Sequence, residues 1–133
     1  MKRFPDWPRR LDDAIEAARG RPFSWGSHDC TIFVADVVRA LTGIDPAAEY
    51  RGSYASGREA KRLVRSAGSL ALLATRIGGD PIPALQAQRG DVVLACRDNG
   101  EALGICLGAR CAFVSPEGLI YLPITDCVQA WRV

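Results

Sequence analysis

The sequence has a single histidine, His28, and no long hydrophobic stretch. Its longest apolar runs, such as residues 69–75, fall far short of the roughly 20 residues that cross a bilayer, so no membrane segment is expected. The 17 basic and 15 acidic residues nearly cancel, which gives no electrostatic reason to expect nucleic acid or an anionic membrane as a partner. The first eight residues do not resemble a secretory signal peptide, and this predicts synthesis in the cytoplasm.

Cysteine is present in an odd number, which is not the pattern of a disulfide framework in a cytoplasmic chain. The five residues are Cys30, Cys96, Cys106, Cys111 and Cys127. The last four lack the close spacing of zinc ligands, apart from one pair, and the histidine lies far from them. We therefore expect no metal and no cofactor, and interpret most of these thiols as small buried hydrophobic groups. A thiol- or zinc-based binding module is the alternative.

The pattern of apolar residues predicts one domain, residues 1–133, in which helices precede strands. Helices are expected at about residues 8–19, 30–41, 57–67 and 70–76. Strands are expected at about residues 91–97, 102–108, 111–115, 119–123 and 128–133. A run of helices followed by an antiparallel meander predicts an α+β fold.

The first predicted hairpin has Asn99-Gly100 at its centre, the strongest short signal for a two-residue turn. That turn would pair Arg97 with Ala102 and leave one sheet face bulky and the other small, with Cys96 and Cys106 on opposite faces. Small residues let another element approach closely. We therefore expect the buried second helix to pack on the small face.

The segment Trp25-Gly26-Ser27-His28-Asp29-Cys30 leads into that second helix. Asp29 is a suitable N-cap, and Cys30 would meet the unpaired N–H groups and the positive end of the helix dipole. These features predict a lowered thiol pKa, a candidate nucleophile and faster alkylation than at the other cysteines. The alternative is a buried structural cysteine.

The third predicted helix has a stripe of four basic residues, Arg58, Lys61, Arg62 and Arg65. Such a stripe is typical of a solvated helix face, and a ligand site is the alternative.

Four motifs occur in order: Trp25-Gly26, Asp29-Cys30-Thr31, Arg89 to Val93, and Leu103 to Gly108. Together, over about residues 20–115, they resemble the NlpC-type branch of the papain-like cysteine peptidases, which cleave peptide bonds in bacterial cell walls. The compact W-G-x-x-D-C motif and the ending Ala130-Trp131-Arg132-Val133 are similar to a small family encoded among phage and prophage tail genes. The resemblance implies a papain-like fold with an antiparallel meander packed on the cysteine-bearing helix.

The resemblance also implies a role for single positions. Cys30 falls on the nucleophile, Ala102 on the general-base histidine, and Val114 or Ser115 near the residue that orients this base. An alanine cannot accept a proton, so the resemblance implies a lost general base. His28 as a substitute base is the alternative, although its spacing of two residues from Cys30 predicts that the two side chains point in different directions.

Trp25 and Gly26 are expected to support the site. Trp25 would supply packing surface, and Gly26 would allow a close backbone approach.

Three functions follow from these observations. The first is a structural or assembly protein of a phage-type tail tip, located in the virion tail, with hydrolysis lost. The second is an active cell-wall peptidase or amidase that uses Cys30. The third is the binding module named above. The expected partners are other tail-tip proteins and, for an active enzyme, cell-wall peptide.

Overall fold

In the part of the chain that the computed structural model describes, residues 2–98 and 100–133, four α-helices precede a six-stranded antiparallel sheet. The helices are α1 Trp7–Arg19, α2 Cys30–Thr42, α3 Gly57–Ala67 and α4 Leu70–Gly78. The strands are β1 Ile82–Pro83, β2 Val92–Arg97, β3 Gly100–Cys106, β4 Arg110–Ser115, β5 Gly118–Pro123 and β6 Cys127–Trp131, with short 3-10 helices at Ala84–Gln86 and Ile124–Asp126. The α+β class predicted from the sequence is confirmed. No helix in the described ranges has the length and apolar character needed to cross a membrane.

The sheet order is β1-β6-β2-β3-β4-β5, and every neighbouring pair is antiparallel. Strands β2 to β5 form the predicted meander of hairpins. Strand β6 is the last in sequence but lies between β1 and β2, so it has a hydrogen-bonded neighbour on both sides.

Helix α2 is the central helix, and its boundaries have clear sequence causes. Asp29 caps its first turn by accepting from the Ile32 N–H at 2.9 Å, and Gly43 ends it in the left-handed region at φ 79°. Apolar residues cover more than one side of the helix, which fits its burial. Eight of its thirteen residues are buried.

Helix α2 packs on the bulky face of the sheet, and the prediction that it packs on the small-residue face is wrong. Val37, Val38 and Leu41 share one core with Leu94 and Ile105. Bulky side chains bury more apolar area against a helix, at about 25 cal/mol per Å², so this packing is the more stable one.

The small face has a different reason for being small. A Cβ added at Gly104 would lie 2.5 Å from the Phe113 ring, which shows that the ring of the neighbouring strand fills this space. Phe113 belongs to a second core with Ala95 and Cys106, covered by Ala84 from the first 3-10 helix.

The predicted register of the first hairpin is also wrong. Arg97 pairs with Gly100, and Ala102 pairs with Ala95, so the pairing is shifted by two residues. The predicted turn at Asn99-Gly100 includes Asn99, which lies outside the described residues. Because side chains alternate with a period of two, a shift of two residues leaves every residue on its predicted face of the sheet. The hydrophobic pattern therefore does not distinguish the predicted register from the observed one.

Candidate functional site

The chain approaches Cys30 through a tight turn. Ser24 and His28 exchange two backbone hydrogen bonds, of 3.1 and 2.8 Å. Gly26 lies between them at φ 81°, and a Cβ at this position would overlap the carbonyl oxygen of Tyr54. The close backbone approach predicted for Gly26 is confirmed, and any larger residue would be strained there.

The carboxylate of Asp29 organises the start of α2. It is only 2% exposed, and one oxygen accepts the capping bond from Ile32. The other oxygen accepts from the Gly26 N–H at 2.9 Å and from the Tyr54 hydroxyl at 2.5 Å. Burial and the neighbouring Asp29 raise the pKa of Tyr54, so its hydroxyl remains a donor. No local sequence pattern pointed to Tyr54, which lies 25 residues from Asp29.

The Cys30 thiol is half-buried at the first turn of α2, 3.8 Å from the Thr31 hydroxyl oxygen. Burial raises the pKa of this thiol. The backbone N–H groups of Leu103 and Thr31 and the Thr31 hydroxyl act to lower the pKa, but the effect of burial is larger. The prediction of a lowered pKa is therefore wrong. Contact with β3 removes water from the thiol, and desolvation disfavours the thiolate more than the helix start favours it.

One side of Cys30 opens into a cleft of about 230 Å³, which we call the sheet-side cleft. Its walls include Phe23, Trp25, Cys30, Arg97, Glu101, Ala102, Phe113, Ser115, Ile120 and Leu122. Ala102, the position of the expected general base, thus shares a cleft with Cys30 but contributes only a methyl group.

Neither candidate for the orienting position is available for that role. The Ser115 hydroxyl donates to the Gly118 carbonyl at 2.9 Å and accepts from the Glu117 N–H at 3.3 Å, so it is engaged in the β4–β5 turn. Val114 is buried in the main core.

His28 lies in a different cavity, of about 310 Å³, which it shares with Arg21 and Asp36. Its side chain is 2% exposed and its ring packs edge-to-face with Phe33, at 6.5 Å between centroids. Burial, with a smaller effect of Arg21, lowers its pKa, and within the described residues its Nδ1 atom has no hydrogen-bond partner. The expectation that the side chains of His28 and Cys30 point in different directions is confirmed.

The other side of Cys30 opens into a larger groove of about 860 Å³, which we call the α3 groove. Its walls include Trp25, Cys30, Tyr54, Glu101 and the four basic residues of α3. These four side chains are exposed, as predicted for a solvated face, but they also form one wall of a groove at the thiol.

The two openings share three wall residues, Trp25, Cys30 and Glu101. Trp25 packs edge-to-face on Phe23 at 4.8 Å between centroids, yet 41% of it remains exposed. The expected packing role of Trp25 is therefore combined with an exposed surface that lines both openings.

The remaining cysteines line neither opening, although the Cys96 thiol lies 3.9 Å from a carboxylate oxygen of Glu101. Cys106 and Cys111 are cross-strand neighbours, and with Cys127 they belong to the second, buried core. Cys96 is exposed on the opposite face from Cys106, as predicted. Among residues 2–98 and 100–133, no group of three or more His, Cys, Asp or Glu side chains could hold a metal ion, which gives no support to the zinc alternative.

Comparison with curated proteins found no matching sequence. A family model described as a domain of unknown function (DUF6950) matches residues 2–133, nearly the whole chain. The protein therefore belongs to the DUF6950 family.

Proposed function

We propose that this protein is a degenerate NlpC-type, papain-like domain that has lost hydrolysis and serves as a structural or assembly component of a phage-type tail tip. The observation that carries the loss of hydrolysis is the methyl group of Ala102 in the cleft beside Cys30, where a thiol peptidase needs a general base. The tail-tip role follows from the sequence resemblance.

The state of the thiol supports the loss of hydrolysis. A thiol whose pKa is raised by burial is protonated at neutral pH, and the thiolate is the nucleophilic form. Peptide cleavage also requires an acid that protonates the leaving amine. Without a group that performs both proton transfers, the rate falls by a factor of about 10² to 10⁴.

The only imidazole of the chain does not compensate for Ala102. His28 lines the cavity beside Arg21 and Asp36, and neither opening at Cys30 includes it. Burial keeps this histidine neutral, and its 2% exposure separates it from any substrate in the groove.

The arrangement of the elements supports the papain-like part of the proposal. The cysteine begins a buried helix, and that helix packs on an antiparallel sheet whose second long strand, β3, contains the Ala102 position. This is the order and placement that the resemblance implies.

Hydrolysis is tested with purified protein on cell-wall preparations, by loss of turbidity and by mass spectrometry of released peptides. We expect no cleavage by the wild type or by Cys30→Ser, and weak cleavage by Ala102→His, which supplies an imidazole in the same cleft. Wild-type cleavage that is lost in Cys30→Ser would contradict the proposal and support an active peptidase or amidase. If His28→Ala also abolished that cleavage, His28 would be the base.

The assembly role is tested by deleting the gene from its phage or prophage and complementing it in trans. We expect deletion to remove infectious particles and Cys30→Ala to restore them as well as the wild type does. Normal particles without the gene would contradict an assembly role.

A further inference from the structure

The four basic side chains of α3 are the starting point, because they lie on one helix face that lines a groove and form no ion pair within the described residues. Within the described residues, ion pairs to carboxylates involve Arg3, Arg10, Arg19, Arg21, Arg51 and Arg89. No such pair in this part of the chain involves Arg58, Lys61, Arg62 or Arg65.

The spacing of these side chains places four like charges on one face of α3, a helix whose single acidic residue is Glu59 in the first turn. Positions 58, 61, 62 and 65 follow the i, i+3, i+4, i+7 pattern, so like charges are neighbours on one helix face. Arg58 also lies in the first turn, at the positive end of the helix dipole, where acidic residues are preferred. None of the α3 residues is fully buried, and the half-buried Val64 and Ala67 pack against the main core. An anionic occupant of the α3 groove would relieve both effects.

The second opening at the thiol has a different chemistry. The sheet-side cleft presents the half-buried apolar side chains of Phe23, Ile120 and Leu122, and it shares the wall residues Trp25, Cys30 and Glu101 with the α3 groove. An occupant that spans both openings would therefore be acidic at one end and apolar at the other.

We propose that the α3 groove and the sheet-side cleft together form one groove that holds an extended segment of a partner protein, with its acidic side chains against α3, its apolar side chains against β4–β5, and its backbone crossing Cys30. The inference rests on the proposed function, because a domain without hydrolysis can retain the groove for a stable partner. Seven residues of helix separate Arg58 from Arg65, a rise of about 10 Å. Three residues of extended chain cover the same length, so acidic residues three positions apart match the stripe.

Binding is tested with fluorescent synthetic peptides that join a Leu-Phe pair, a short Gly-Ala linker and the sequence Glu-Ala-Ala-Glu, made in both chain directions. Anisotropy measures the affinity for the wild-type protein at low and high salt. We expect saturable binding of one direction that weakens with salt, and a loss of about two- to fivefold for each glutamate replaced by glutamine. No saturable binding of either peptide below about 1 mM would overturn the proposal.

Protein variants locate the site. We expect the double variant Arg58→Glu with Arg62→Glu to weaken binding at least about tenfold, since each reversal converts an attraction into a repulsion. The matched control is Arg76→Glu, an exposed arginine of the neighbouring helix α4 that lines neither part of the groove. Equal weakening by the control, or none by the double variant, would overturn the proposal. Circular dichroism and the melting temperature show whether each variant is folded.

Two further readouts separate the path of the segment from simple charge attraction. Saturating peptide should slow alkylation of Cys30 at least about fivefold, and by a larger factor than alkylation of Cys96, which is exposed and lines neither part of the groove but contacts Glu101 at its edge. If the peptide did not protect Cys30, the proposal would be overturned. It would also be overturned if inorganic polyphosphate, and a peptide whose Leu-Phe pair is replaced by serines, bound as tightly as the original peptide, because this would show a non-specific basic patch. Mass spectrometry of the same samples detects cleavage, so an active enzyme would be recognised independently of peptide binding.

Discussion

The two cysteines nearest to solvent differ in exposure. Cys96 is exposed on β2, whereas Cys30 is half-buried against β3 with a raised pKa. Cys106, Cys111 and Cys127 are buried in the second core. Exposure and thiolate fraction together determine thiol reactivity, so the position of Cys30 at a helix start is a poor guide to its chemistry.

We expect iodoacetamide to modify Cys96 first at pH 7, Cys30 more slowly, and the three buried cysteines last. The rate at Cys30 should rise steadily as the pH is increased, because more of the thiol becomes thiolate. Peptide mapping by mass spectrometry after timed quenching measures each rate. Modification of Cys30 ahead of Cys96 at pH 7 would show that the helix start outweighs burial after all.

His28 makes the stability of the fold depend on pH. Burial holds its folded-state pKa below the unfolded value of about 6.5, with Arg21 acting in the same direction and Asp36 and Asp29 opposing. As the pH falls below 6.5, the unfolded chain takes up the proton first. The contribution of His28 is therefore fully present above pH 6.5 and is lost below it, by up to about 1.4 kcal/mol per pH unit.

We expect the free energy of unfolding to fall more steeply between pH 7.5 and 5.5 in the wild type than in His28→Gln, which cannot take up a proton in this range. Urea unfolding at several pH values gives both profiles. The comparison removes the effect of carboxylates that both proteins share. Parallel profiles would show that His28 is protonated equally in the folded and unfolded states.

At the scale of single elements, the starts of α2 and α3 offer a direct comparison of two N-caps. Asp29 is buried and accepts three hydrogen bonds, whereas Ser56 caps α3 in an exposed position by accepting from the Glu59 N–H at 3.2 Å. Removal of Asp29 would leave the Tyr54 hydroxyl and the Gly26 N–H without their acceptor, and unsatisfied buried donors are unfavourable.

We expect Asp29→Ala to reduce the free energy of unfolding by about 2 to 3 kcal/mol, and Ser56→Ala by about 0.5 to 1 kcal/mol. Chemical denaturation monitored by circular dichroism measures both. Equal losses would mean that water replaces Asp29 as the acceptor for Gly26 and Tyr54.

The elements were predictable where their signals are local. The N-cap predicted at Asp29 depends on residues within one turn, and it agrees with the structure. The packing face of α2 and the register of the β2–β3 hairpin depend on distant partners, and both predictions were wrong. The same distinction between local signals and distant contacts applies to the candidate site.

For the site, the role of Asp29 followed from its neighbours in sequence, and the conformation of Gly26 was also expected. Two features were not predicted: the contact of Gly26 with Tyr54, and the position of the basic residues of α3 beside the thiol. Both depend on how the loop of residues 43–56 returns to the start of α2. The spacing of apolar residues does not predict the path of this loop, because tertiary contacts determine it.

At the scale of the whole molecule, the two ends of the described chain meet at one buried carboxylate. Asp91 accepts from the Arg3 guanidinium at 2.9 Å and from the Val133 N–H at 3.1 Å. Arg3 also donates to the Val133 carbonyl at 2.8 Å. Asp91 is 3% exposed, so this cluster is shielded from solvent, unlike the ion pair of Arg89 with Asp12.

We expect Arg3→Gln to reduce the free energy of unfolding by about 3 kcal/mol, the lower end for breaking a buried ion pair, because Asp91 retains two backbone N–H donors. The matched control Arg89→Gln breaks an exposed pair and should have an effect of less than about 1 kcal/mol. Thermal and urea unfolding give both values. Similar losses in the two variants would show that the Arg3 pair is hydrated.

The position of β6 between β1 and β2 has a consequence for synthesis on the ribosome. Strands β2 to β5 can pair as they emerge, but the outer edge of β2 has no neighbour until residues 127–131 have been translated. Until then the nascent chain presents an open row of N–H and C=O groups, which is a template for pairing with other chains. A ribosome that stalls before this point would therefore hold an incomplete sheet whose unpaired edge strand can bind other chains.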